Sequence, residues 1–189
     1  MDMTTSLPKP RGMARPITEP RPEIALSPDL LEDWQELLDT LAGMLAADGA
    51  SIRRVNHQTS EILLSSPAGA PGLHPGERMP LGPDAPAYCR PVLDTRRPFA
   101  IEDAGKDSSW RRSPDWAAGF RAYYGQPLRL SDGTLFGVLE LHFETPRQMP
   151  AIQRRYIQQV AAAINARLFC LTGCPLLREE AAERRKAAE

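Results

Sequence analysis

Apolar and polar positions divide the chain into blocks of two distinct periods. Leu30, Leu31, Trp34, Leu37, Leu38, Leu41, Met44 and Leu45 recur at intervals of one, three and four residues, drawing one apolar stripe along a helix. Ser27-Pro28-Asp29 supplies its start: a capping hydroxyl, a proline at the first helical position and an acid in the first turn. Asp48-Gly49 supplies its stop. The segments ASIRRV and EILLSS then flank a polar stretch, Asn56 to Ser60, and predict two short strands in a hairpin. Residues 67–86, PAGAPGLHPGERMPLGPDAP, are dominated by Gly and Pro and predict a long surface loop.

A short helix is expected over roughly residues 85–95, a strand at PFAIED and a further short helix near residues 114–119. Two apolar runs around Ser131-Asp132-Gly133 predict a closing hairpin over residues 120–143. Beyond Pro146, Ile152, Tyr156, Ile157, Val160, Ile164 and Leu168 restore the helical period. This order predicts an α+β fold: a central antiparallel sheet, the two terminal helices on one face, and a lid of loops and short helices over a pocket on the other.

The ends differ from this body. Residues 1–27 are rich in Pro, Arg and Thr without apolar period, which reads as a disordered tail. Residues 28–172 form the domain, and residues 173–189, closing on REEAAERRKAAE, read as a charged C-terminal helix or tail.

Composition narrows the function. The 189 residues are 42% apolar, enough for one core. A net charge of −1 carries no footprint for nucleic acid or an anionic membrane. No apolar run approaches the roughly 18 residues of a membrane span, and three cysteines, Cys89, Cys170 and Cys174, make no disulfide framework. The expected location is the cytoplasm.

The segments YCRPVLDTRRPFAIEDAGKD and FRAYYGQPLRLSDGTLFGVLELHFETPR carry a resemblance. An apolar helix containing Cys89, a T-x-x-P step at Thr95 to Pro98, Asp103 after the strand, and Y-x-x-x-P-L followed by G-x-L-F-G-V-L resemble the middle and end of GAF domains, sensory relatives of PAS domains. The likeness spans about residues 30–170. It implies a small molecule or chromophore bound on one sheet face, dimerisation through the terminal helices, and an attached output domain or signalling partner. The cofactor it leaves unknown. Bilin-attaching members commonly carry a Cys-His pair where this chain has Cys89-Arg90. Free methionine sulfoxide reductases of this fold use several pocket cysteines, and only Cys89 lies outside the last helix. The Asn-Lys-Phe-Asp-Glu set of cyclic-nucleotide members is absent from the sequence.

Candidate chemistry centres on the last strand. Alternation places Leu135, Gly137, Leu139, Leu141 and Phe143 toward the helices, and Phe136, Val138, Glu140 and His142 toward the lid. A carboxylate and an imidazole inside an apolar strand either meet a backbone group, an arginine or water at the sheet end, or face a ligand. Tyr123 or Tyr124 joins them according to hairpin register, with Gln126 on the face of Tyr124. A four-residue loop, Ser131 to Thr134, favours Tyr123; a three-residue loop with a bulge favours Tyr124.

Trp110, Trp116 and Phe120 anchor the polar stretch over the sheet or line the cavity, and Phe99 lies in the strand beside it. Cys89 borders the expected pocket, as a buried packing residue or, in an alternative reading, as the thiol of a small redox enzyme. His57 and His74 fall in a turn and a loop, and two cysteines four residues apart make a poor zinc signal. With no glycine-rich phosphate loop, HExxH or nucleophile elbow, the leading expectation is a non-catalytic sensor. A ligand-free dimerisation module is the third reading.

Overall fold

The computed structural model describes residues 24–56, 59–81 and 86–173. Helix α1 spans Pro28–Leu45, and the Ser27 hydroxyl caps it by accepting from the Leu30 amide at 3.3 Å. It ends at Ala46, whose left-handed backbone turns its N–H back onto the last helical turn. A hairpin of β1 (Gly49–Asn56) and β2 (Thr59–Ser66) follows, then β3 (Arg78–Pro80), α2 (Arg90–Thr95) and β4 (Phe99–Ile101). Two 3-10 turns lead to α3 (Pro114–Ala117), β5 (Ala122–Arg129), β6 (Leu135–Phe143) and α4 (Ala151–Gly173).

The strands form one antiparallel sheet in the order β3-β2-β1-β6-β5-β4. Both long helices lie on one face, as their stripes require. Trp34, Leu38, Leu41 and Leu45 of α1 and Ile157, Ile164 and Leu168 of α4 share a core with Ile52, Leu139 and Leu141 of the sheet. Each such side chain, fully buried, contributes about 1.5–3 kcal/mol. The helices run in opposite directions: Arg147 donates to the Leu45 carbonyl at 2.8 Å, and Arg167 pairs with Asp33 at 3.7 Å. A second core on the other face joins Tyr88, Cys89 and Val92 to Phe120, Tyr123 and Val138 beneath the lid.

Four details depart from the sequence pattern. Arg78 to Pro80, inside the Gly/Pro-rich loop, pair with β2 as an edge strand too short for periodicity to register. Ile24 and Leu26, assigned to the tail, pack against the helix-side core; residues 1–23 and 174–189 lie outside the described residues. Met44, Ile152 and Tyr156 belong to the apolar stripes yet are 62%, 54% and 40% exposed. Leu135 and Phe136 exchange faces. Arg129 pairs with Leu135 but Leu128 pairs with Gly137, which leaves Phe136 as the extra residue of a β-bulge. Phe136 thereby turns to the helices, its ring 6.1 Å from Trp34, and Leu135 packs under the lid.

Candidate ligand site beneath the lid

The bulge also decides which tyrosine meets Glu140. Leu130 and Thr134 close a three-residue loop through a 2.9 Å bond, with Gly133 at φ 78 supplying the left-handed turn. By itself that loop favours Tyr124. The added residue at Phe136 shifts the register by one, so Tyr123 pairs with His142 and Tyr124 with Leu141. Tyr123 therefore joins Glu140 and His142 on the lid face. Tyr124 and Gln126 lie on the opposite face: Tyr124 belongs to the helix-side core, and its hydroxyl sits 3.4 Å from the Gln126 amide oxygen.

Strand β1 completes the lid face. Ser51 stands opposite Glu140 and Arg53 opposite Val138, so both hydrophilic side chains point inward. Glu140, 1% exposed, accepts from Ser51 Oγ at 2.7 Å and Arg53 Nε at 2.9 Å through one oxygen, and from Tyr123 Oη at 3.3 Å through the other. Arg53 also donates to Ser60 Oγ at 3.2 Å. Burial works against the guanidinium charge, but the nearby negative groups, Glu140 foremost, together more than offset it and hold the Arg53 pKa above its ordinary value. Burial, reinforced by Glu140, pushes the Tyr123 phenol well up, so it stays a neutral donor.

His142 is fully buried between Phe120 and Tyr123, its ring 4.7 and 5.2 Å from theirs. Its Nε2 lies 3.3 Å from Asp115 Oδ1, within range of charge attraction, but neither ring nitrogen makes an aligned hydrogen bond among the described residues. Asp115 lies in the first turn of α3 and ties it to the segment before α2. Its other oxygen accepts from Ser113 Oγ at 2.6 Å and the Tyr88 amide at 2.9 Å. Burial would raise the Asp115 carboxyl, yet His142, Ser113 and the Tyr88 amide outweigh it and hold its pKa at about 2.

A pH dependence follows from that carboxyl. Its ordinary value is 3.8, so its contribution is complete above that pH and is lost as the pH falls through about 2. The shift corresponds to about 2 kcal/mol. Urea unfolding of wild type is expected to weaken between these values, and Asp115→Asn to be less stable at pH 7 with a flatter acid limb. Identical pH profiles for the two proteins would contradict this role.

Cys89 precedes α2 and is 2% exposed. Burial first, then the Glu140 carboxylate, push its thiol far above its ordinary value despite the opposing Arg53. A thiolate nucleophile needs the reverse environment. Iodoacetamide at pH 7 is expected to spare Cys89 in the native protein and to label the exposed Cys170. Rapid labelling of Cys89, read by peptide mass spectrometry, would favour the redox reading.

The remaining candidates divide. Val138 and Phe120 lie in the lid-side core; Trp110 and Phe99 pack against its margin near β4; Trp116 stacks under Arg121, whose guanidinium carbon is 3.7 Å from the ring centre. His74 is exposed, whereas His57 and Cys174 lie outside the described residues. Ser51, Arg53, Ser60, Tyr88 and Asp115 were not anticipated as site residues. Arg53 had a signal: Ala50 and Ile52 take the helix-side positions, so Ser51 and Arg53 must face the lid. Among the described residues no group of His, Cys, Asp or Glu could hold a metal ion, and no helix is long and apolar enough to cross a membrane.

A two-faced antiparallel sheet with paired terminal helices and a lid over buried polar residues is an α+β architecture with its candidate site between sheet and lid. The GAF domain family model matches residues 32–166, and the chain belongs to that family of sensory and regulatory modules. Its fold is similar to that of a GAF domain from a Coxiella burnetii phosphoenolpyruvate-protein phosphotransferase, with 17% identity, 86% of this chain and 89% of that one covered, and a TM-score of 0.61. It is also similar to the GAF domain of a Bacillus halodurans two-component sensor histidine kinase, at 15% identity over 75% and 93% of the chains with a TM-score of 0.59. The phycocyanobilin-bound GAF domain of a cyanobacterial phytochrome matches at 20% identity over 72% and 85%, with a TM-score of 0.56. No curated protein matches the chain.

Proposed function

We propose that the chain is a non-catalytic regulatory module that binds a small molecule between sheet and lid and passes the change to its terminal helices, and through them to an output domain or signalling partner. The observation that carries this reading is His142: a fully buried imidazole without an aligned hydrogen bond among the described residues, facing Asp115 of the lid. Nε2 has the Asp115 carboxylate nearby, but Nδ1 has neither an ion pair nor a hydrogen bond among the described residues, and leaving such a buried polar atom unmatched costs about 1–3 kcal/mol. A ligand that offers it a donor or acceptor recovers that cost, and Arg53, Glu140 and Tyr123 lie on the same sheet face to read the ligand's polar groups. That a related GAF domain carries phycocyanobilin supports a ligand-bearing use of the fold.

Thermal-shift screening of the purified protein, with native mass spectrometry for a retained ligand, tests the reading. A ligand at a hundredfold excess over its Kd adds about 2.7 kcal/mol of stability. If no compound in a broad metabolite set stabilises the protein and no bound mass is retained, the proposal fails. A second reading then stands, a ligand-free dimerisation module, favoured by one observation: Glu140 already accepts from Ser51, Arg53 and Tyr123, so this carboxylate needs no ligand.

In either reading we assign association to the helices. Met44, Ile152 and Tyr156 are apolar and exposed, and the Arg147 contact to Leu45 brings the end of α1 toward the start of α4. A two-fold homodimer would cover them. Tyr156→Glu is expected to convert a dimer to a monomer in sedimentation without lowering Tm, whereas Ile157→Glu, at a fully buried position, unfolds the chain. A wild type that stays monomeric at micromolar concentration would exclude the homodimer.

A further inference from the structure

Strand β4 closes one end of the sheet, and beside it lies a cleft of about 720 Å³ reaching to α4. That volume lies within the range of small-molecule sites. The cleft opens where the two cores meet: Phe99 and Trp110 reach it from the lid side, Ala100 and Tyr124 from the helix side. Phe99 and Trp110 present tilted rings with centres 6.3 Å apart. Tyr124, 2% exposed, lines the cleft together with Arg154 and Gln158 of α4.

The charges around this cleft are not balanced in use. Glu102 accepts from the Gln148 side chain at 3.3 Å, and Asp103 accepts from the Gly105 amide at 2.9 Å. Arg154 and Lys106 line the same cleft with no ion pair or side-chain hydrogen bond among the described residues. Both carboxylates keep their charge in these contacts, so the cleft carries two cations and two carboxylates, and among the described residues only the cations have no side-chain contact to give up to an incoming group. A guanidinium takes a carboxylate through two parallel hydrogen bonds, and aromatic walls favour a flat apolar body.

We propose that the β4–α4 cleft is a second binding site, separate from the lid site, for a planar aromatic carboxylate held by Arg154 with its ring against Phe99 and Trp110. Trp110 also packs edge-on against Tyr88, their centres 5.5 Å apart, so an occupant touches the margin of the lid.

The test is a nitrogen–proton correlation NMR titration of the full chain with indole-3-acetate and 1-naphthoate, and with indole-3-acetamide as the neutral counterpart. The expected result is saturable shifts at the Phe99, Ala100, Ile101 and Gln158 amides, with binding about tenfold weaker for the acetamide and for Arg154→Glu, the loss of one charge-assisted contact. Arg154 is exposed, so the variant's other resonances should stay in place. The proposal is overturned if neither carboxylate shifts those amides, if the acetamide binds equally well, or if Arg154→Glu binds unchanged.

Discussion

Glu140→Ala is expected to destabilise the protein by about 3–5 kcal/mol, because it strands the Arg53 cation in a site where that side chain is only 6% exposed. The loss comes mainly from desolvation. In place Glu140 offsets the burial of Arg53 and gives Ser51 and Tyr123 an acceptor; without it three donors point at an apolar gap. Removing both charges together, as Arg53→Met with Glu140→Leu, should restore most of the stability, since a well-packed apolar pair often replaces a buried ion pair at little cost. Urea unfolding of the three proteins measures this. A single variant within about 1 kcal/mol of wild type would mean that water reaches the pair.

The second large effect is expected at Gly137, whose place in β6 lies between Arg54 of β1 and Leu128 of β5. A Cβ there would overlap the Arg53 carbonyl oxygen and stand 2.9 Å from the Arg53 carbonyl carbon and 3.1 Å from the Arg54 Cα. Backbone cannot rotate aside, and β6 is flanked on both sides, so no free edge absorbs the shift. Gly137→Ala should cost about 3 kcal/mol. Gly43→Ala is the contrasting control: on the exposed side of α1, nothing lies within 4 Å of the added carbon, and the variant should gain about 0.5–1 kcal/mol. An unchanged Tm for Gly137→Ala would show that β1 and β6 pair in another register.

The elements most legible in the sequence were those set by local physics. The cap at Ser27, the stripes of both helices and the alternation of residues 137–143 each follow from a period or a side-chain hydrogen bond within a few residues, and each stands where expected. The face of Tyr123 was not legible. It depends on one extra residue at Phe136, and a bulge leaves the composition of a strand unaltered while reversing the sides of its residues. Asp115 was hidden for a different reason. Its neighbours His142 and Tyr88 come from distant segments, so no spacing along the chain announces the cluster. Glu140 was singled out, but its partner Arg53, 87 positions away, could be identified only once β1 and β6 were known to be adjacent.

The most direct test of a ligand site beneath the lid is hydrogen exchange read by mass spectrometry, with and without a compound that raises Tm in the screen. The account predicts slower exchange over residues 86–95, 113–124 and 138–143, the segments that surround Tyr88, Asp115, Tyr123, Glu140 and His142, with a change carried into α1 and α4. Protection confined to the β4 edge and α4, with the lid segments exchanging as in the free protein, would contradict it.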